Sequence, residues 1–187
     1  MQTLPKRYHG LAITLHWVMA LAFFCMLASG LVMANLEINK SLKFQIYQWH
    51  KSLGVLLLIS FFLRISVRFL TIQPPLPAGM KPLEKKAAKF GHWAFYGWMI
   101  ALPLTGWIVV SSSPYGLPTI VFGWFDWPHI PNIAANKNIE EFAEETHALL
   151  AYSFIVLILV HIIAVIKHAL FENENLLPRM GIGKLRE

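Results

Sequence analysis

Cysteine and charge are what this sequence has least of. Its 187 residues include one cysteine, Cys25, and only 14% charged side chains, which excludes an intramolecular disulfide and a thiolate metal cluster. Cys25 lies among Phe23, Phe24 and Met26, where a small buried hydrophobe is expected. There is no solenoid-type repeat and no low-complexity tract. The composition is instead apolar, with 56% hydrophobic residues and a mean hydropathy of +0.52. That is far beyond an ordinary soluble domain, so the chain is read as a membrane protein in contact with lipid.

Roughly 20 apolar residues cross a bilayer, and four segments reach that length: about 11–34, 45–70, 90–112 and 144–170. The connections leave little room for a soluble domain, so residues 1–187 read as a single four-span unit, an all-α integral membrane four-helix bundle. The first segment exceeds a signal-peptide apolar region, and Ala28-Ser29-Gly30 is a weak cleavage signal; it is kept as a span. Gln73-Pro74-Pro75-Leu76-Pro77-Ala78-Gly79 forces an extended turn between the second and third spans. Residues 111–138, with Pro114, Gly116, Pro118, Gly123, Pro128 and Pro131 among aromatics, read as an ordered interfacial loop capping one end.

The formal charge of +6 is topological rather than a nucleic-acid footprint, and no nucleic-acid partner is expected. Lys6 and Arg7 precede the first span, and Arg64, Arg68, Lys81, Lys85, Lys86 and Lys89 surround the second connection. Lys167, Arg179, Lys184 and Arg186 follow in or after the fourth span. The first and third connections hold only Lys40, Lys43, Lys51 and Lys137. By the positive-inside rule both termini and the second connection of this multi-pass chain are cytoplasmic.

Histidine is unexpectedly present in these apolar segments. His147, His161 and His168 are separated by 14 and 7 residues, steps that end about 40° and 20° short of whole helical turns, so all three share a face. A histidine inside a membrane is costly and marks a functional site. His16 and His161 each lie roughly 8–10 Å in from the cytoplasmic side at 1.5 Å per residue, and His50 and His147 enter from the other side. The step from His147 to His161 is about 21 Å, close to what remains of a roughly 30 Å core once both pairs are inset. Two imidazole pairs at two depths is the arrangement of two six-coordinate haems, each iron taking one histidine from either side. With one cysteine there is no c-type attachment motif. Ala20, Gly54 and Ala151, four residues beyond His16, His50 and His147, leave room on the ligand face, as does Ala164 beyond His161. Gly30 falls on the His16 face at the level of the other pair.

Leu15-His16-Trp17, His50-Lys51-Ser52-Leu53-Gly54, Gly91-His92 with Ala101-Leu102-Pro103 and Gly106, and Glu145-Thr146-His147 with His161 together resemble the prokaryotic cytochrome b561 family. The likeness covers nearly the whole chain. It implies a four-helix cytoplasmic-membrane protein with two b-type haems that exchanges electrons with the quinone pool. Carried over position by position, it makes His16 with His161, and His50 with His147, the axial ligands. Some members of the family pass electrons between superoxide and quinone, so the resemblance fixes cofactors better than substrate.

The remaining polar residues take subsidiary roles. An alternative inner pair is His168 with His9 or His92. A sharper reading makes His92 and His168 proton-accepting contacts of a cytoplasmic quinone site, since quinol oxidation releases protons and histidine titrates in the useful range. Arg64, 14 residues past His50, is read as a contact to a haem propionate or a quinone oxygen, with a snorkelling arginine as the alternative. Lys51 points about 100° from His50 and reads as a solvated interfacial lysine. Glu140, Glu141, Glu144 and Glu145 suit the N-terminus of a helix. Asp126 and His129 match no zinc motif, and Ser111-Ser112-Ser113 reads as a helix ending.

The expected function is that of a di-haem cytochrome carrying electrons between the quinone or quinol pool and a redox partner not identified by the sequence. One alternative is a superoxide:quinone oxidoreductase with a cationic funnel near His50 and His147, against which the acidic lip argues. Another is a cytochrome subunit anchoring a dehydrogenase or hydrogenase. A homodimer is compatible with all three. A transporter is disfavoured by the lack of an inverted repeat.

Overall fold

In the computed structural model, which describes residues 5–77, 79–171 and 176–184, each expected span lies within a longer helix. These are α1 Gly10–Asn35, α2 Lys40–Leu70, α3 Pro82–Ser112 and α4 Lys137–Phe171. Each is long and apolar enough to cross a membrane. Of the residues used above, Ala78 and Arg186 lie outside the described ones.

The additional length comes from polar caps. Asn39 accepts from Ser41 N at 2.8 Å, which starts α2 before its apolar run. Glu84 reaches back to Lys81 N at 3.3 Å behind Pro82, which starts α3. Asn136 Oδ1 accepts from Ile139 N at 3.2 Å, just outside α4. His9, one member of the alternative inner pair, is the cap of α1, where its ring accepts from Leu11 N at 3.3 Å.

α1 packs along α2, α2 along α3 and α3 along α4, but among the described residues no comparable run of backbone contacts joins α4 to α1 or α2. Those seams are crossed by side chains. Phe154 of α4, 2% exposed, meets Phe23 of α1 at 5.1 Å and Phe95 of α3 at 5.8 Å between ring centres. Met19, Phe23, Leu57, Phe61, Met99 and Leu102 complete this core with it. Residue 154 lies midway between positions 147 and 161, so the core separates the two histidine levels. The outward faces carry large apolar side chains such as Leu21, Phe62, Leu149 and Ile163, all exposed on the isolated chain, as lipid requires. Cys25 is on this outward face, which corrects the expectation of a buried hydrophobe: its depth was legible, its direction around the helix was not. Ala164 is exposed as well.

The long third connection is ordered and contains an antiparallel hairpin, β1 Thr119–Val121 and β2 Phe125–Trp127, with Val121 opposite Phe125. Its reverse turn takes Phe122 (φ 48°) and Gly123 (φ 78°) into the left-handed region, closed by Trp124 N–H to Val121 O at 2.9 Å. Side chains from the helices hold it down. Lys51 Nζ donates to Pro118 O at 2.7 Å, and Phe122 N–H donates to Ser52 Oγ at 3.2 Å. Ile130 N–H donates to Ser111 Oγ at 3.0 Å. Lys51 is therefore 7% exposed, not a solvated interfacial lysine, because the hairpin covers the place to which it points.

At the opposite end the segment 176–184 straps across the bundle. Trp17 Nε1 donates to Met180 O at 2.9 Å, Tyr8 N to Arg179 O at 3.2 Å and Arg7 Nη2 to Gly183 O at 3.1 Å, while the Arg179 guanidinium donates to Pro75 O. The approach to α1, the second connection and the segment after α4 thus share one end.

Candidate functional site

α4 supplies one histidine to each of two levels. His147 faces His50 of α2 with ring centres 6.3 Å apart and planes at 73°, and His161 faces His16 of α1 at 6.5 Å and 60°. All four rings are half-buried. Two imidazoles sharing a metal, with about 2 Å per metal–nitrogen bond and about 1.2 Å from nitrogen to ring centre, stand about 6.4 Å apart. Both pairs meet that spacing.

The pair at the hairpin end is built from two matching cradles. Ser29 Oγ lies 2.8 Å from His50 Nδ1, and a Cβ placed on the next residue, Gly30, would come within 3.6 Å of the same ring. Thr105 Oγ1 lies 3.0 Å from His147 Nδ1, and a Cβ on Gly106 would come within 3.2 Å of that ring. A hydroxyl followed by glycine on the preceding helix thus holds each imidazole, the glycine allowing the backbone to approach. Gly30 was expected at this level. Ser29 and Thr105 were missed; the signal was there in Ser29, which with Gly30 falls 13 and 14 residues beyond His16. A cavity of about 620 Å³ is lined by both rings and also by Gly54, Ala151, Trp107, Lys51 and Glu144, within the range of pockets that bury a small-molecule cofactor.

The second pair sits in a cationic setting. Arg64 Nη2 is 3.3 Å from His16 Nδ1, and Arg64 Nε is buried with no hydrogen-bond partner. Arg68 and Tyr96 stand beside it, the Arg68 guanidinium 5.8 Å from the centre of the Tyr96 ring. A buried charge within a span is costly and marks a functional site. His92 lies within electrostatic reach of Arg68, His161 and Arg64, so it belongs to this level. His168 is half-buried and lies within electrostatic reach of Glu84, which pairs with Lys167 at 2.5 Å.

The donor set suits iron in a flat macrocycle: imidazoles in facing pairs, glycines that leave room beside two of them, loose seams around α4, and an orphaned guanidinium nitrogen where an acidic substituent would be welcome. The model of prokaryotic cytochrome b561 matches residues 7–183, a stretch that contains all four paired histidines. The chain belongs to the prokaryotic cytochrome b561 family. Cytochrome b561 homolog 2 of Escherichia coli (strain K12) is 33% identical over 182 residues, covering 96% of this chain and 93% of that protein. The probable superoxide oxidase CybB of Yersinia pestis is 27% identical over 179 residues, covering 94% and 96%. As a cytochrome b561 the chain is a multi-pass, membrane-embedded electron carrier, consistent with an inner-membrane location.

Proposed function

We propose that this cytochrome b561 holds two b-type haems, one between His50 and His147 and one between His16 and His161. It transfers electrons between the quinone pool at the strapped end and a redox partner at the hairpin end. The observation that carries this reading is the pair of facing imidazoles at each of two depths, with α4 contributing to both. The positive-inside pattern makes the strapped end cytoplasmic, and residues 1–187 act as one unit.

When bound, haem supplies a reversible one-electron store. The rest of the work is done by the chain. Ser29 and Thr105 orient the outer imidazoles through Nδ1. Arg64 and Arg68 provide donors for carboxylate groups. The hairpin, pinned by Lys51 and Ser52, limits water at the outer level. Oxidation of a quinol to the quinone releases two electrons and two protons; His92 accepts a proton at the inner level, with His168 as a second acceptor nearer the rim.

A second reading, superoxide:quinone oxidoreductase, gains from Lys40, Lys43 and Lys51, which line the cavity beside His50 and His147. These supply the cationic approach that the sequence seemed to lack. Two superoxide anions would give two dioxygen molecules and two electrons, which with two protons reduce one quinone to quinol.

Stopped-flow spectroscopy on the anaerobic purified protein tests the quinone assignment. Quinol should reduce the b-type absorbance, and His92→Ala should slow that reduction at least tenfold while reduction by dithionite is unchanged. Full reduction by dithionite with none by quinol contradicts the reading.

A further inference from the structure

The two imidazole pairs differ in what meets their second nitrogens. At the outer level each partner is a hydroxyl already committed as a donor: Ser29 Oγ donates to Met26 O at 2.9 Å, and Thr105 Oγ1 donates to Ala101 O or Leu102 O, both at 2.9 Å. Each hydroxyl therefore turns a lone pair toward its histidine, so His50 and His147 carry their proton on Nδ1 and leave Nε2 open. An N–H···O bond of this kind raises the basicity of the ligating nitrogen and favours the more positive state of a bound metal.

At the inner level the partner of His16 is Arg64, which has donors and no lone pair. Its charge disfavours the more positive metal state, and Arg68 adds to it. Nearby acid does not cancel this, since Glu84 at the same end is engaged by Lys167. At the outer level Lys40, Lys43, Lys51 and Glu144 line the cavity, but what meets each imidazole there is a neutral hydroxyl rather than a guanidinium. A His16 that ligates through Nε2 would carry its proton on Nδ1 and release the guanidinium. Arg64, which also hydrogen-bonds Tyr96, would then have that donor and its orphaned Nε free for a carboxylate group, and the guanidinium would stay in the pocket.

We propose that Arg64 is a positioning and tuning residue that sets the inner site at a higher reduction potential than the outer one, so that an electron shared between the levels resides at the inner, strapped end. This rests on the paired-histidine reading and adds to it a direction: electron flow from the hairpin end to the strapped end is downhill.

The test is an anaerobic spectroelectrochemical titration of the purified holoprotein, with the inner component identified by its loss in His161→Ala. The expected result is two one-electron components with the inner one higher. Arg64→Gln should lower the inner component by a tenfold change in its equilibrium constant, about 59 mV for one electron, and leave the outer in place; Arg64→Lys should restore most of the difference. Thr105→Val should raise the outer component only. An inner component at or below the outer one in the unaltered protein, or one unmoved by Arg64→Gln with both haems bound, overturns the proposal. Should Arg64→Gln not retain its inner haem, Thr105→Val decides: an unmoved outer component then overturns it. A haem count below two on the unaltered sample defeats instead the reading on which the proposal rests, and so distinguishes the two failures.

Discussion

An imidazole in a membrane interior has two ring nitrogens to satisfy, and in this chain different helices attend to them. His147 turns toward His50 on α2 while Thr105 on α3 meets its Nδ1; His50 in turn is met by Ser29 of α1. The facing of His16 with His161 and of His50 with His147 agrees with the depth reading, because helical rise converts residue number into distance along the bundle, although depth alone also allowed His168 with His9 or His92 as the inner pair. What depth does not carry is direction around the helix axis. Cys25 was misread for that reason, Lys51 because the hairpin covers the place to which it points, and Ser29 passed for part of a cleavage signal. The residue-level prediction is selective loss: His161→Ala should remove the inner haem and spare the outer, and His147→Ala should do the reverse, read as the loss of one or the other component from the reduced optical spectrum. Simultaneous loss of both haems in a protein that retains its helical circular dichroism would defeat the two-level arrangement.

Among the elements, hydropathy found all four helices but stopped short at their ends, since Asn39, Lys81 with Glu84, and Asn136 extend them with polar turns outside the apolar runs. The hairpin was seen only as an ordered loop, because strands of three residues are too short to display an alternating pattern. α3 carries an interruption at Pro103, where the missing N–H opens the ladder, and Thr105 follows with its hydroxyl directed back at the carbonyls of Ala101 or Leu102. The next residue, Gly106, lets α3 come close to the His147 ring. An alanine there would already press at 3.2 Å; a branched side chain cannot be accommodated without moving the imidazole. Gly106→Val should therefore reduce haem content from two per chain toward one, with the outer component lost, while Gly97→Val, at a position with nothing within 4 Å, should keep both. Equal haem content in the two variants would show that close approach of α3 does not matter to the site.

As a whole molecule the protein is a bundle in which α1 to α3 pack in succession and α4, joined by backbone contact chiefly to α3, closes the two histidine levels with its side chains. The Phe154 core lies between those levels, the hairpin covers one end and the 176–184 strap covers the other. Membership of the cytochrome b561 family agrees with the four-span bundle, and the ring spacings of 6.3 Å and 6.5 Å are what the two-haem reading rests on. The measurement that bears on them first is a pyridine haemochrome assay with quantified protein, on detergent-purified material from haem-replete cells. Two b haems per chain is the expected result. One haem, or none, in a folded bundle would contradict the paired histidines as axial ligands at both levels.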